Sequence, residues 1–168
     1  MEFRILGPLE VDDGEGRPIS IGGGRPSALL ADLLLHANEV VPADRLIDDL
    51  WGETPPETAA KALQGYVSHL RKALEPNRGA SSPEDLLLTR GHGYLLRLDL
   101  ERLDAHRFQA LAAEGRGALA EGRAAEAAAV LREALSLWRG PALSDFAYEG
   151  FAQREITRLE EQIGRAHV

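Results

Sequence analysis

The stretch ETAAKALQGYVSHLRKAL, residues 57–74, decides the fold that this sequence predicts. Leucine or valine recurs at positions 63, 67, 70 and 74, which places these four side chains on one side of an α-helix. Counted at about 100° per residue, the opposite side carries polar or small residues. They are Lys61, Gln64, Gly65, Ser68 and Lys72, with Arg71 at the flank. No aspartate or glutamate occurs between residues 58 and 74, so this helix combines an apolar inner face with a partly basic outer face.

The next stretch, LLLTRGHGYLLRL at residues 86–98, has the pattern of a β-hairpin. Two apolar segments, Leu86–Arg90 and Tyr94–Leu98, flank the glycine-rich tip Gly91–Gly93. Between the helix and the hairpin, residues 76–79 are expected to stop the helix, and residues 80–83 to form a polar loop.

Two further helices are predicted on the N-terminal side. The first covers about residues 26–37, and the second opens at Pro42 and Asp44 and ends at Gly52, with Trp51 on its apolar side. Residues 2–7, 9–11 and 18–21 are predicted to form a small antiparallel sheet. Three helices followed by a hairpin is the order of a winged helix-turn-helix, whose third helix fits the major groove of DNA.

From about residue 104, alanine, leucine, glutamate and arginine dominate the sequence. Helices are predicted at 104–121, 124–138 and 147–162. The sequence thus predicts a mainly α protein with small β-sheets, with domains at 1–100 and 101–162. The last six residues, 163–168, do not continue the helical pattern, and we expect Gly164 to break it. Because IGRAHV is also the translation of a common sequencing-adapter sequence, we expect a non-native tail.

Charge and composition limit the partners, metal sites and locations that are compatible with the sequence. The net charge is −8, and residues 1–100 hold ten lysines and arginines against sixteen acidic residues, which disfavours nonspecific binding to nucleic acid. Residues 58–97 reverse this balance, with six basic residues against three acidic ones, so a small DNA-facing patch is compatible with the sequence. The absence of cysteine excludes disulfides and thiolate metal sites. Without a signal-peptide pattern or a long apolar run, a cytoplasmic location and no membrane contact are expected.

Catalytic and metal-binding patterns are not found. The five histidines lack metal-ligand spacing, and no Ser/His/Asp arrangement is evident. Gly22–Gly24 is not followed by Gly-Lys-Ser/Thr, so a plain turn is favoured over a phosphate-binding loop. We therefore expect no enzymatic activity, no cofactor and no metal.

Four stretches together resemble the Streptomyces antibiotic regulatory protein family, with its OmpR-type winged helix. They are FRILGPLEV (3–11), LLLHANEVVPADRLIDDLWG (33–52), ETAAKALQGYVSHLRKAL (57–74) and LLLTRGHGYLLRLD (86–99). The resemblance implies sequence-specific binding to direct repeats near promoters of secondary-metabolism genes, such as those for antibiotic biosynthesis. The DNA-binding residues that it implies are Lys61, Gln64, Ser68, Arg71 and Lys72 in the third helix and Arg90 in the wing.

The second half, at residues 103–146 and 151–161, resembles the bacterial transcriptional activation domain of the same family. That domain is a tetratricopeptide-like helical array used for protein contacts and oligomerisation, and this chain carries part of it. The implied partners are promoter DNA, RNA polymerase holoenzyme and a second copy of the chain. A different hypothesis, consistent with the acidic charge of residues 1–100, is a helical protein-interaction module whose winged domain binds DNA weakly or not at all.

Overall fold

The computed structural model describes residues 1–75 and 86–166. Contacts divide the chain into two compact units. The first unit comprises residues 17–98, and the second combines residues 1–16 with residues 99–168. The predicted helix stop at 76–79 and the polar loop at 80–83 lie outside the described residues, as do residues 167 and 168.

The unit of residues 17–98 contains the three predicted helices. They are α1 (Arg25–Leu35), α2 (Ala43–Trp51) and α3 (Ala59–Leu74). The apolar stripe of α3 is buried as predicted, since Leu63, Val67, Leu70 and Leu74 are all at most 3% exposed. Trp51, predicted on the apolar side of α2, is half-buried at the end of that helix, where its ring stacks on Tyr66.

Three antiparallel strands complete this unit, β3 (Val40–Pro42), β4 (Leu87–Arg90) and β5 (Gly93–Leu96), in the order β3-β5-β4. The predicted hairpin is confirmed, and its register pairs Arg90 with Gly93 across a two-residue loop. The sequence patterns gave no indication that β3 pairs with β5. A Cβ atom at Gly93 would lie 2.5 Å from the Val41 carbonyl oxygen, so only glycine allows these two strands to approach.

Asp32 is a carboxylate that lies completely buried in α1. Neither of its side-chain oxygens has a hydrogen-bond partner among the described residues, although the His36 Nδ1 lies 3.4 Å from Oδ1. Burial and the neighbouring Asp49 carboxylate raise the pKa of Asp32 to about 9. Asp32 is therefore protonated at neutral pH, and α1 carries no buried negative charge there.

The second unit combines two short strands with the three predicted C-terminal helices. These elements are β1 (Glu2–Arg4) and β2 (Glu10–Asp12), which pair antiparallel, and α4 (Asp104–Ala120), α5 (Ala124–Ser136) and α6 (Gly150–Ala166). The mainly α fold class is confirmed. None of the helices in the described part of the chain is long and apolar enough to cross a membrane.

Two local predictions are wrong. No strand forms at residues 18–21, which the structure describes, and the Ile21 carbonyl instead accepts a hydrogen bond from the His69 Nε2 at 2.8 Å. Gly164 does not break the last helix either, because α6 continues to Ala166. One glycine in a helix interior costs only about 1 kcal/mol, which the surrounding turns tolerate.

The N-terminal segment is held against the helical unit by a buried carboxylate and an exposed arginine. The Asp104 carboxylate, at the start of α4, accepts hydrogen bonds from the backbone N–H groups of Ile5 and Leu6 at 2.8 and 3.1 Å. Burial raises the pKa of Asp104 even though these two hydrogen bonds act in the opposite direction. The Arg139 guanidinium donates to the Pro8 carbonyl at 2.8 Å. The ranges 1–100, 101–162 and 163–168 stay a prediction about the domains, while the contacts group residues 1–16 with the helices.

We expect Asp104→Ala to lower the free energy of unfolding of the second unit by about 1–3 kcal/mol for each backbone donor that it leaves buried without a partner. Chemical denaturation of the full chain measures this change. Asp145→Ala is the matched control, because Asp145 also accepts from a backbone N–H, that of Leu9 at 3.3 Å, but is exposed to water. Equal, small losses in both variants would contradict the anchoring role of Asp104.

A second prediction concerns Asp32. Between the ordinary pKa of 3.8 and the raised value of about 9, the folded state holds a proton that the unfolded state releases. The stability of the first unit should therefore fall as pH rises through this interval. Asp32→Asn should remove this dependence and raise the free energy of unfolding at about pH 8 on the order of 1–3 kcal/mol. Denaturation at about pH 5 and about pH 8 checks this. The exposed Asp48→Asn should behave like wild type, and an Asp32→Asn variant with wild-type pH dependence would contradict the assignment.

Candidate nucleic-acid interface

The outer face of α3 is exposed and contains no carboxylate. The side chains of Lys61, Gln64, Ser68 and Lys72 all lie on this face and are exposed. Open space surrounds Gly65 between them, since a Cβ atom built there would meet no atom within 4 Å. The structure thus brings four of the six predicted DNA-binding residues together on one accessible surface.

Arg90, the fifth, lies at the tip of the wing formed by β4 and β5. Its side chain is exposed and donates a hydrogen bond to the carbonyl of the preceding residue, Thr89, at 3.0 Å. The next residue, Gly91, has a φ of 57° in the left-handed region that glycine adopts without strain, and this lets the chain reverse in two residues. The guanidinium of Arg90 is therefore presented to solvent.

Arg71, the sixth, has a different environment. It is half-buried, and its guanidinium donates from Nε to the Leu87 carbonyl at 3.1 Å and from an Nη to the Thr89 hydroxyl at 2.8 Å. Both acceptors belong to β4. Arg71 thus joins the exposed outer face of α3 to the first strand of the wing, a position suited to orienting the wing.

Two side chains that sequence reasoning missed fix the base of the wing. The buried Glu75 carboxylate, just after α3, accepts from the backbone N–H groups of Leu86 and Leu87, the latter at 2.6 Å. The Asn38 amide donates to the Leu98 carbonyl at 3.0 Å and accepts from the Leu98 N–H at 2.9 Å. Asn38 has a φ of 66°, and an asparagine between a helix and an apolar strand is a signal of such a left-handed turn.

The wing tip is also tied to α2. The Ala43 N–H, at the start of α2, donates to the His92 carbonyl at 2.9 Å. A cleft of about 450 Å³ lies between α3, the wing and this end of α2. Its lining consists of Pro42, Ala43, Asp44, Gln64, Thr89, Gly91, His92, Gly93 and Tyr94. Among these residues Asp44, in α2, carries the one carboxylate. The exposed face of α3 beside the cleft carries only neutral and basic side chains.

An aromatic cluster lies beside α3. The rings of Trp51 and Tyr66 stack with centroids 5.9 Å apart and planes inclined by 23°. The guanidinium carbon of Arg25, in the first turn of α1, lies 5.2 Å from the centre of the Trp51 ring. By contrast, the residues that the structure describes contain no group of three or more histidine, aspartate or glutamate side chains arranged to hold a metal ion.

Comparison with protein families identifies both halves of the chain. Residues 21–96 match the family described as "Transcriptional regulatory protein, C terminal", and residues 103–168 match "Bacterial transcriptional activator domain". The order of these two matches agrees with the order of winged and helical segments that the sequence predicts.

Individual relatives are also named as regulators. The chain is 38% identical to the regulatory protein DnrI of Streptomyces peucetius, over 96% of this chain and 60% of DnrI. It is 35% identical to the transcriptional regulator RedD of Streptomyces coelicolor, over 97% of this chain and 48% of RedD. The chain thus spans about half to three fifths of the length of these relatives.

A solved structure has the same fold. Mycobacterium tuberculosis EmbR, in complex with a low-affinity phosphopeptide, superposes with a TM-score of 0.90 at 36% identity. The match covers 99% of this chain and 43% of EmbR. The matched part of EmbR thus includes counterparts of both units of this chain.

We expect Arg71→Ala to loosen the wing, because it removes two hydrogen bonds between α3 and β4. Amide hydrogen exchange in Leu87–Arg90 and Gly93–Leu96 should become faster. The increase should correspond to a loss of about 1–3 kcal/mol in the free energy of local opening. Lys72→Ala, the exposed neighbour on the same helix, should leave this exchange unchanged. Wild-type exchange in Arg71→Ala would show that the wing is held without Arg71.

Proposed function

The chain belongs to the Streptomyces antibiotic regulatory protein family of transcriptional regulators, and from this premise we propose that it binds double-stranded DNA sequence-specifically and activates transcription. The observation that carries the proposal is the outer face of α3, which exposes Lys61, Gln64, Ser68 and Lys72 without a carboxylate. A helix of this width and polarity fits the major groove, where base edges are accessible.

In this proposal each side chain has a defined task. Gln64, which is exposed on α3 at the border of the cleft with the wing, pairs through its amide with an adenine edge, which accepts and donates at matching positions. Lys61 and Lys72 contact phosphates or guanine edges, and Ser68 donates from its short side chain. Arg90 contacts the DNA backbone from the wing tip. Arg71 acts by positioning the wing rather than by touching a base, since its guanidinium is engaged with β4.

The proposed partners follow from this mode of binding. A direct repeat in a promoter accommodates two copies of the chain side by side, each with its own α3 in a major groove. The helical segment from residue 101 onward then contacts the second copy and RNA polymerase holoenzyme, in the cytoplasm where promoter DNA lies. The target genes in this proposal are those of secondary-metabolite biosynthesis. The proposal includes no enzymatic step and no cofactor, in keeping with relatives that are named as regulators.

The second candidate function is a protein-interaction module that does not read DNA. It is favoured by the excess of acidic residues in the first hundred positions and by Asp44 at the edge of the cleft. A domain with this charge repels the DNA backbone except where its basic groups meet it.

DNA binding should depend on Gln64 and Arg90 in two distinguishable ways. Gln64→Ala should reduce the preference for the bound sequence by about 1–3 kcal/mol, because it removes a contact to a base edge. Arg90→Ala should weaken binding to every sequence alike and reduce the salt slope by about one unit, because it removes a phosphate contact. The measurement is binding to a duplex that the protein selects from a random pool, and to a scrambled duplex, across a salt series.

The wild-type salt slope should be modest, about −3 to −5 for one copy, since few basic groups reach the DNA. Thermal unfolding of both variants serves as a control, because both side chains are exposed and neither should contribute to the core. Equal wild-type affinity for the selected and scrambled duplexes, unaltered in either variant, would remove the DNA-reading function and leave the interaction module.

A further inference from the structure

We infer that Gly65, on the outer face of α3, is a specificity-determining residue, and that its bare backbone receives the C5-methyl group of a thymine. The inference rests on the proposed function and adds to it the chemistry of one base contact. The thymine methyl is the apolar group that base edges present in the major groove. The absence of a side chain at Gly65 is what allows this group to reach the backbone of α3.

Among the residues that the structure describes, nothing requires a glycine at position 65. Gly65 lies in the interior of α3 with a φ that is not positive, and a Cβ atom built there would meet no atom within 4 Å. In α4, by contrast, a Cβ atom at Gly115 would lie 2.5 Å from the Leu131 Cδ2, so the packing of α5 on α4 requires that glycine. In a helix interior, glycine lowers the ratio of folded to unfolded protein about fivefold relative to alanine. Gly65 therefore costs stability and brings no gain in packing.

The place of Gly65 on α3 shows where an external reason lies. Counted at about 100° per residue, Gly65 and Lys72 are the residues that point most nearly away from the buried apolar stripe of the helix. A recognition helix seated in the major groove turns this side toward the base edges. The Cα atom of Gly65 consequently faces the floor of the groove in the proposed complex.

The side chains around Gly65 leave a recess on this face. Lys61 lies one turn before it, Ser68 and His69 lie about one turn after it, and all three are exposed. None of these side chains comes within 4 Å of a Cβ atom built at Gly65. The base of the recess is the backbone of α3, whose N–H and C=O groups bond to each other within the helix. A group that needs no hydrogen bond, such as a methyl group, therefore matches this recess.

The other groups on the base edges do not match it. The ring nitrogens and carbonyl oxygens in the major groove accept hydrogen bonds, and the amino groups of adenine and cytosine donate them. Against Gly65, any of these groups would lose a water molecule and gain no partner from the helix. A buried methyl group instead raises the affinity about fourfold. An alanine Cβ atom at position 65 would occupy the space that this methyl group fills.

The experiment uses the full chain and the duplex that the wild-type protein selects from a random pool. Each thymine in turn is replaced by deoxyuridine, which lacks only the C5-methyl group. One replacement should weaken wild-type binding about fourfold, because that methyl group no longer packs on Gly65. Gly65→Ala should bind the unmodified duplex about 10-fold more weakly, because its Cβ atom overlaps the methyl group. At the same position, deoxyuridine should strengthen the binding of Gly65→Ala, which is the reverse of its effect on wild type.

Thermal unfolding separates this role from a structural one. Gly65→Ala should unfold at a higher temperature than wild type, because alanine is the better helix former and its Cβ atom meets no atom of the described protein. Gly117→Ala is the matched control, since Gly117 lies in α4, is exposed and has equally open surroundings. It should also raise the unfolding temperature, yet bind every duplex as wild type does. Gain of stability together with loss of affinity is expected in Gly65→Ala alone.

Two results would overturn the role of Gly65. One is wild-type affinity of Gly65→Ala for the selected duplex. The other is a weakening of Gly65→Ala that is the same on the unmodified duplex and on every deoxyuridine duplex. If either result occurs while Gln64→Ala still relaxes sequence preference, the inference fails and the DNA-reading function stands. If the wild-type protein selects no duplex from the pool, both are overturned.

Discussion

The rotation of α3 about its own axis is the constraint on which the rest of the winged unit depends. Leu63, Val67, Leu70 and Leu74 are withdrawn from water along one side of the helix, and each leucine or valine buried in this way contributes about 1.5–3 kcal/mol. Turning α3 by half a turn would expose these side chains and bury Lys61 and Lys72 instead. The apolar stripe therefore determines which residues face outward, and the outward face determines what the protein can recognise.

The wing depends on a different physical interaction, the satisfaction of backbone groups at its base. Glu75 accepts from two backbone N–H groups ahead of β4, Asn38 pairs with both backbone groups of Leu98, and Arg71 donates to β4 itself. These side chains form hydrogen bonds with backbone groups of the wing that would otherwise need a neighbouring strand. The missing Cβ at Gly93 lets β5 approach β3, and the Ala43 N–H at the start of α2 donates to the His92 carbonyl at the tip of the wing. In the proposed function, the position of the wing tip beside α3 determines which phosphate Arg90 meets.

The N-terminal sixteen residues show how far contacts depart from the order of the chain. They precede the winged unit in sequence, yet Asp104 and Arg139 hold them against the helical unit. The buried backbone N–H groups of Ile5 and Leu6 require acceptors, and a carboxylate about a hundred residues away supplies them. The strand pattern of FRILGPLEV is readable in the sequence, but the pattern carries no information about which unit the strands join.

The sequence by itself determined the helices, the hairpin and the outward face of α3, because these follow from periodicities of 3.6 and 2 residues that act within one element. It also determined the family, because four motifs occur in the expected order. Only the tertiary structure decided the contacts of Arg71, the pairing of β3 with β5, the place of residues 1–16, and the stack of Arg25, Trp51 and Tyr66. Each of these is a contact between residues far apart in the chain, and its partner is chosen by the geometry of packing and by the need of buried polar groups for acceptors and donors. Local periodicity cannot encode that choice. An arginine at a given position is exposed to solvent or hydrogen-bonded to another element, depending on what the fold brings beside it.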